Sequence, residues 1–397
     1  MEYVKLSEIA EVITKGTTPT SIGYNFCDEG INFIKIESIN TDGKVLNDKV
    51  GYISEECHNK LKRSQLKEND ILFSIAGAIG RTCIITKDIL PANTNQALAI
   101  IRLKENDYDI EYLNILLNSQ FITKQYNKKK QGVAQLNLSL TDIGNLEIPK
   151  LNITEQLNIK NKLKRINKMI LTRKQEINKC TDLIKSQFVE MFGNPLERNN
   201  NSFFKVPMPE VCEIIDGDRG KNYPKQNEFF LKEYCLFLNA KNVTSSGFDF
   251  SNNMYITKEK DELLRNGKLK RGDVVLTTRG TVGNLAFYND YVPYNNVRIN
   301  SGMVILRMNH EKVNELFFIE QFKMQLDNIK IKIANGSALP QLPISKMNGI
   351  KVIIPPIELQ NKFAQIVEQI DKQKFEFEKS LKKLEELQAA LMQEYFG

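Results

Sequence analysis

The chain has 397 residues, 41% of them hydrophobic and 26% charged, which suits two or three globular domains with apolar cores. Apolar runs such as residues 351–354 end far short of the roughly 20 residues that a membrane span needs, and the N-terminus lacks the pattern of a signal peptide. We therefore expect a cytoplasmic protein with no membrane partner, and the net charge of +7 permits nucleic-acid binding without demanding it.

Cysteine and histidine usage argues against several kinds of site. The six cysteines are scattered without a Cys-x-x-Cys pair, so we expect free thiols rather than a disulfide framework. The neighbouring Cys57 and His58 have nothing nearby to complete a zinc tetrad. The sequence has only two histidines, which argues against a histidine-based acid–base site. We predict neither a metal nor a cofactor.

The first 150 residues predict a mixed α/β domain, which we call the first head. Short β-branched runs at residues 31–36, 70–75 and 97–103 are bounded by Gly, Asn and Asp, a pattern typical of strands and turns. Residues 111–126 have a helical composition, as do residues 313–333 in the second half. We expect a strongly curved sheet in each domain.

Residues 151–194 and 357–397 each predict one long helix that follows a proline. Apolar residues step by four and three in turn, the spacing of a coiled-coil seam. The seam in the first helix comprises Ile159, Leu163, Ile166, Ile170, Ile177 and Ile184, with polar or small breaks at Arg173 and Cys180, and it runs on to Gln187 and Met191. The seam in the second comprises Phe363, Val367, Ile370, Phe377, Leu381, Leu384 and Leu391.

The coiled coil is favoured over an amphipathic helix packed on its own domain, because such a helix extends roughly 55–60 Å and outreaches a small domain. If the two helices pair antiparallel, they hold the two heads at opposite ends under a pseudo-twofold axis.

The second half of the chain repeats the first at an offset of about 204 residues, which decides the architecture. Residues 8–13 match 210–215, residues 66–80 match 269–283, and Phe192-Gly193 matches Phe396-Gly397. The predicted domains are therefore a head (1–150), a helix (151–194), a second head (195–356) and a second helix (357–397).

This layout resembles the specificity subunit of Type I restriction-modification systems over the whole chain. The marks are the strand-plus-glycine loops at 70–81 and 273–284, the Gln-Leu and Ile-Pro pairs before each long helix, and the helices that begin near Gln156 and Gln360 and end in Phe-Gly. Residues 16–19 and 216–220 add to them.

The resemblance implies a division of labour. Each head would be a target-recognition domain for one half of a bipartite double-stranded DNA site. The helices would set the spacer and dock two methyltransferase subunits, and motor-nuclease subunits would join the full complex.

Motifs for chemistry are missing from the sequence, so we predict a non-catalytic subunit. No Gly-x-x-x-x-Gly-Lys-Ser/Thr phosphate loop occurs. The loop at 77–80 has a twin at 280–283, which indicates a repeated turn rather than a cofactor loop. Asn194-Pro195-Leu196 does not supply the Asn/Asp-Pro-Pro-aromatic motif of an amino-methyltransferase. A fused methyltransferase or nuclease, the best enzyme alternative, thus lacks its motifs.

Candidate DNA contacts follow from residue type and loop position. Lys and Arg suit phosphates, Arg suits guanine, and Asn or Gln suits adenine. In the first head the candidates are Lys15, Thr17, Thr18, Lys35 and Arg81, with Lys128, Lys129 and Lys130 as a phosphate patch. In the second head they are Arg219, Lys221, Asn222, Lys225, Lys241, Asn242, Thr278, Arg279 and Asn284.

The two heads differ at these positions, because Ala76 aligns with Arg279 and Arg81 with Asn284. We therefore expect two half-sites of different sequence. The alternative from another class is a coiled-coil scaffold that tethers two protein-binding heads, and steep salt dependence of DNA binding would separate the two hypotheses.

Overall fold

The computed structural model describes residues 2–104, 108–128, 137–197, 203–334 and 341–397. Its contacts divide the chain into two compact units, Met1–Lys174 with Lys379–Gly397 and Gln175–Glu378. Each unit combines one head with segments of both long helices. None of the helices within the described ranges has the length and apolar character required for a membrane span.

The first head is built around a four-stranded antiparallel sheet in the order β2-β8-β5-β6. A three-stranded sheet, β4-β3-β7, lies in the same head, with β3 and β7 parallel. The strands are β1 (Tyr3–Lys5), β2 (Ala10–Lys15), β3 (Ile31–Ile34), β4 (Gly51–Ile53), β5 (Ile71–Ser74), β6 (Thr82–Ile84), β7 (Ala92–Thr94), β8 (Leu98–Leu103) and β9 (Glu147–Pro149). The helices of this half are α1 (Leu6–Ile9), α2 (Glu55–Lys60), α3 (Ile110–Leu117), α4 (Gln120–Asn127), α5 (Leu140–Gly144) and the long α6 (Ile153–Phe192).

The second head repeats this topology, with a four-stranded sheet β11-β19-β16-β17 and a three-stranded sheet β15-β12-β18. Its strands are β10 (Lys205–Pro207), β11 (Cys212–Asp216), β12 (Cys235–Leu238), β13 (Val243–Thr244), β14 (Gly247–Phe248), β15 (Tyr255–Ile256), β16 (Val274–Thr277), β17 (Leu285–Phe287), β18 (Val297–Ile299), β19 (Met303–Met308) and β20 (Lys351–Ile353). Its helices are α7 (Lys258–Leu263), α8 (Glu315–Ala334), α9 (Ile344–Met347) and the long α10 (Ile357–Phe396). The predicted mixed α/β repeat is confirmed.

One predicted element is different in the structure. The single helix expected at 111–126 is two helices, α3 and α4, separated at Asn118-Ser119. The Ser119 hydroxyl accepts a hydrogen bond from the backbone N–H of Ile122, which starts a new helix at this point. Serine prefers this N-cap position because its oxygen satisfies a backbone donor that the first helical turn leaves unpaired.

The two long helices pair antiparallel. In the first unit, Ile159 and Leu163 near the start of α6 share an apolar core with Leu391 and Phe396 at the end of α10. In the second unit, Ile184 near the end of α6 shares a core with residues near the start of α10. A reciprocal pair of hydrogen bonds between Asn152 and Glu155 caps the start of α6.

Most predicted seam residues face the interior. The buried ones are Ile159, Leu163, Ile166, Ile170, Ile184, Phe363, Val367 and Ile370. The half-buried ones are Ile177, Phe377, Leu381, Leu384 and Leu391. The buried face is wider near the end of α6, where the predicted Gln187 and Met191 are half-buried and the adjacent Phe188 and Phe192 are buried.

Candidate nucleic-acid interface

In each head, strand ends of the four-stranded sheet gather the candidate residues at one edge. β2 ends at Lys15, β8 begins at Leu98 and β5 ends at Ser74, and the antiparallel register places these three ends side by side. The loops that leave them, residues 16–21, 75–81 and 95–97, form what we call the first loop edge. In the second head, residues 217–222, 278–284 and 300–302 form the second loop edge in the same way.

A glycine in each head lets two loops of this edge touch. A Cβ on Gly16 would collide with the backbone carbonyl of Thr94, and a Cβ on Gly217 would collide with that of Asn300. Any side chain at these positions would push the loop away from the β7–β8 or β18–β19 connection. Glycine here is therefore a packing requirement of the edge.

The first loop edge carries hydroxyl and amide groups beside positive charge. Lys15 is exposed. The Thr18 hydroxyl donates to the side-chain oxygen of Gln96, and the Thr17 hydroxyl accepts from the guanidinium of Arg63 at 3.3 Å. The sequence-predicted Lys15, Thr17 and Thr18 thus lie together, joined by two residues that the sequence analysis did not single out.

Lys35 lies beside this edge, because it follows β3 where the parallel strand β7 ends. Its ammonium group sits over the ring of Phe26, 4.1 Å from the ring centre. A cation–π contact of this kind holds the side chain in one place while leaving part of its charge exposed.

The second loop edge is richer in arginine. Arg219 donates to Asp216 at 3.0 Å and to the carbonyl of Ser301 at 3.2 Å. Arg279 is exposed, and its backbone N–H donates to Gly302. Asn222 donates to the carbonyl of Leu263. The remaining exposed candidates of the second head are Lys221, Lys225 and Lys241.

Several candidates use their side chains to hold the protein together. Arg81 donates to the carbonyl of Ile39 at 2.8 Å, and its repeat counterpart Asn284 donates to the carbonyl of Val243 at 3.0 Å. Ile39 and Val243 are themselves counterparts, so the same brace occurs in both heads.

Two further candidates of the second head are also tied to backbone carbonyls. Asn242 is 2% exposed, and its amide nitrogen binds the carbonyls of Asp249 and Asn252. The Thr278 hydroxyl donates to Gly302. These two residues, together with Arg81 and Asn284, fix the loops that carry the exposed candidates. In the lysine patch, Lys128 is exposed after α4, whereas Lys129 and Lys130 lie outside the described residues.

A buried carboxylate fixes the shape of the second loop edge. Asp218 is 5% exposed and accepts backbone N–H bonds from Gly220 and Arg265, both at 2.7 Å. Burial alone would raise the pKa of Asp218, but hydrogen bonds from Gly220, Arg265 and Asn266 and the charge of Arg265 hold that pKa below its ordinary value. Asp218 therefore stays ionised and links the loop at residues 217–222 to the backbone at Arg265.

Arg265 is a candidate that sequence reasoning missed. The internal repeat could have indicated Arg265, because Arg265 aligns with Lys62, the residue before Arg63. A basic residue thus stands at this loop in both heads.

The described residues contain no cluster of three or more His, Cys, Asp and Glu placed to hold a metal ion. Burial raises the pKa of the Cys83 thiol to about 11 and that of Cys212 to about 12. These two thiols are therefore protonated at neutral pH and poorly suited to act as nucleophiles.

The family comparison agrees with the repeated fold and the two loop edges. Residues 1–181 and 203–389 both match the family described as "Type I restriction modification DNA specificity domain". The chain belongs to this family and carries its domain twice. It is a DNA sequence-specificity subunit of the restriction-modification class.

Individual relatives are similar in different parts. The EcoBI specificity subunit of Escherichia coli is 37% identical over 131 residues, 32% of this chain and 27% of that protein. The MjaIX specificity subunit of Methanocaldococcus jannaschii is 22% identical over 359 residues, 86% of this chain and 79% of that protein. A chain from a structure of type I R-M complex assembly shares the fold, with a TM-score of 0.62, 18% identity and coverage of 100% and 97%.

Proposed function

We propose that each head binds one half of a bipartite double-stranded DNA site through its loop edge, and that the paired helices fix the spacer between the halves. The observation that carries this proposal is the same sheet edge occurring twice, each with glycine-tightened loops and exposed basic residues. Cations beside hydroxyl and amide groups suit phosphates and base edges together.

The proposed partners are two methyltransferase subunits and, in the complete assembly, motor-nuclease subunits. A related chain was solved in work on the assembly of a type I R-M system, which supports this proposal. The chain itself has no catalytic role in it, so the purified polypeptide alone would neither methylate nor cleave DNA. The outer surfaces of α6 and α10 are the proposed docking surfaces.

Exchange of one head tests the assignment of half-sites. Residues 1–150 are replaced by the first head of another specificity subunit, and the complex with its methyltransferase subunits is expressed in cells. Sequencing of methylated sites should show one changed half-site and one unchanged, because each head carries its own loop edge. The reciprocal exchange of residues 195–356 is the matched control and should change the other half.

Two outcomes would contradict the proposal. One is a single exchange that alters both halves in an active complex. The other is binding of the full chain to random duplex DNA that is insensitive to salt, since a protein that neutralises phosphates loses affinity steeply as salt rises. The second outcome would favour a scaffold with protein-binding heads.

A further inference from the structure

The arginines of the second head fall into two groups. Four of the six between residues 203 and 334 use their guanidinium groups on protein atoms. Arg298 binds Asp261, Arg307 binds Asp273, Arg271 binds Asn295, and Arg219 binds Asp216. Arg265 and Arg279 are both exposed, and their guanidinium groups form no hydrogen bond or ion pair within the described ranges. The charge of Arg265 acts on the nearby Asp218 carboxylate, whereas no such neighbour is seen for Arg279 among the described residues.

Arg279 belongs to the second loop edge, and Arg265 lies directly beside it. The Asp218 carboxylate binds the backbone N–H of Arg265. The guanidinium of Arg265 lies against Gly220, where an added Cβ would be 2.8 Å from Nη2. Residues 217–219 contact residues 300 and 301, and the backbone of Arg279 binds Gly302. A continuous set of short contacts therefore joins the two positions.

The backbone under each arginine is held in place. The N–H of Arg265 is fixed on the buried Asp218 carboxylate, and that of Arg279 is fixed on Gly302 at 3.2 Å. Such an arrangement lowers the backbone entropy that each loop loses when its side chain binds a ligand. A fixed backbone with an unpaired guanidinium is the arrangement expected of a residue that reads a ligand.

The first loop edge has neither group. The counterpart of Arg265 is Lys62 and that of Arg279 is Ala76, while Arg63 donates to Thr17. Thr18 and Gln96 occupy the positions of Arg219 and Ser301. The two heads thus present different hydrogen-bonding groups on one shared framework.

We propose that Arg265 and Arg279 are specificity-determining residues that each read a guanine, so that the half-site bound by the second head contains at least two G·C pairs. Guanine presents two acceptors, N7 and O6, in the major groove, and the planar guanidinium matches them with two parallel donors. Alanine has no donor, and lysine donates from a single flexible ammonium rather than from a planar fork, so the first head does not present the same pair of guanine-reading groups. This inference rests on the proposed function.

The test is selection of bound duplexes from a randomised DNA library by the full-length chain with its methyltransferase subunits, followed by sequencing. Arg265→Ala and Arg279→Ala should each relax one position of the second half-site, reducing the preference for guanine by about 5- to 150-fold, while the first half-site is unchanged. Arg265→Lys and Arg279→Lys should keep more of the guanine preference than the alanine variants and less than the wild type, because lysine keeps the charge and its donors but loses the planar fork.

Lys241→Ala provides the control in the same head, since an exposed lysine on phosphate should weaken all sequences alike. The inference is overturned if the alanine variants select the wild-type motif with uniformly weaker binding, which would make both arginines phosphate contacts. It is also overturned if the second half-site contains no guanine, or if all positions relax together. A wild-type complex that selects no motif would instead refute the proposed function.

Discussion

Gln156 and Gln360 occupy counterpart positions in the first turns of α6 and α10, and both are completely buried. Gln360 donates to the carbonyls of Pro355 and Lys312 and accepts from the backbone N–H of Asn314 at 2.9 Å. Gln156 forms the same kind of bond with the N–H of Asp109. Each glutamine therefore joins the start of a long helix to the start of the shorter helix beside it.

Gln360→Ala should lower the free energy of unfolding of the full chain by roughly 3 kcal/mol, because the buried carbonyl of Pro355 and the half-buried Asn314 N–H and Lys312 carbonyl lose their partner. Gln365→Ala is the matched control, since Gln365 is exposed on the same helix, and its effect should stay within about 0.5 kcal/mol. Urea denaturation followed by circular dichroism measures both. Equal losses in the two variants would contradict this role of Gln360.

A second buried position differs in chemistry between the heads. In the second head, the Asp261 carboxylate binds Arg298 and Lys268. In the first head, the counterpart residues His58 and Asn93 are hydrogen-bonded to each other. The fold therefore accepts a carboxylate–arginine ion pair between α7 and β18 or a histidine–asparagine hydrogen bond between α2 and β7, provided the polar groups are satisfied.

Acid should weaken the second head through Asp261. Burial by itself would raise the pKa of Asp261, but hydrogen bonds and charges from Lys268 and Arg298 outweigh it, so the pKa lies below its ordinary value. The stabilisation is then fully present above the unfolded-state pKa of about 3.9 and is lost as pH falls through the folded-state pKa. Asp261→Asn should cost roughly 3 kcal/mol at pH 7, because it leaves a buried arginine without its counter-charge.

The difference in unfolding free energy between Asp261→Asn and the wild type should stay constant from pH 7 to about pH 5 and narrow as the pH falls below about 4, because the unfolded wild-type chain then binds a proton at Asp261 that the folded chain resists. Urea denaturation at several pH values measures it. Glu262→Gln is the control, because Glu262 is an exposed neighbour on α7. A gap that is constant with pH would contradict the assignment to Asp261.

At the scale of elements, periodicity predicted the long helices well because each seam repeats many times along a single helix. It was incomplete in the last two turns of α6, where the heptad spacing selects the half-buried Gln187 and Met191 and misses the fully buried Phe188 and Phe192. There α6 also packs against α8, and Phe188 lies 5.5 Å from both Phe317 and Phe363, measured between ring centres. The contact with α8 adds the next residue of each turn to the buried face. The heptad spacing of a two-helix coiled coil does not predict this contact.

The loop edges were predicted only in part for a similar reason. Residue type and loop position gave exposed residues such as Lys15 and Arg279. They did not distinguish these from Arg81 and Asn284, whose carbonyl partners lie about 40 residues earlier in the chain. The repeat contains that information, because both braces end on counterpart residues, but it becomes visible only when the folded backbone brings the partners together.

The aromatic cluster at the end of α6 yields a stability prediction. Phe188→Ala should cost about 3–5 kcal/mol, because it removes a fully buried ring and leaves a cavity. Leu183→Ala on the same helix is the control, since Leu183 is 52% exposed, and it should cost well under 1 kcal/mol. Thermal unfolding compares the two variants, and comparable losses would show that the rings do not stabilise this end of α6.

At the scale of the whole molecule, the paired helices α6 and α10 are proposed to set the distance between the two half-sites. Thr172 and Glu376 are counterpart residues, both exposed and both close to the boundaries at residues 174–175 and 378–379 that separate the two units. Insertions at these points disturb few contacts within each unit, the ion pair of Lys174 with Glu385 among them. They are therefore suited to changing the length of the helix pair alone.

Four residues inserted at both Thr172 and Glu376 should lengthen the accepted spacer by one or two base pairs and leave both half-sites unchanged. Each insertion adds roughly 6 Å and slightly more than one helical turn, which nearly keeps the phase of the seam, and one base pair rises about 3.4 Å.

Two-residue insertions at the same points are the control. They rotate the seam by about 200° and should impair folding or assembly. Methylome sequencing of the complex reads the spacer directly. If an active, well-folded complex keeps both its half-sites and its original spacer after the four-residue insertions, the helices do not set the distance, and the heads or the partner subunits must do so.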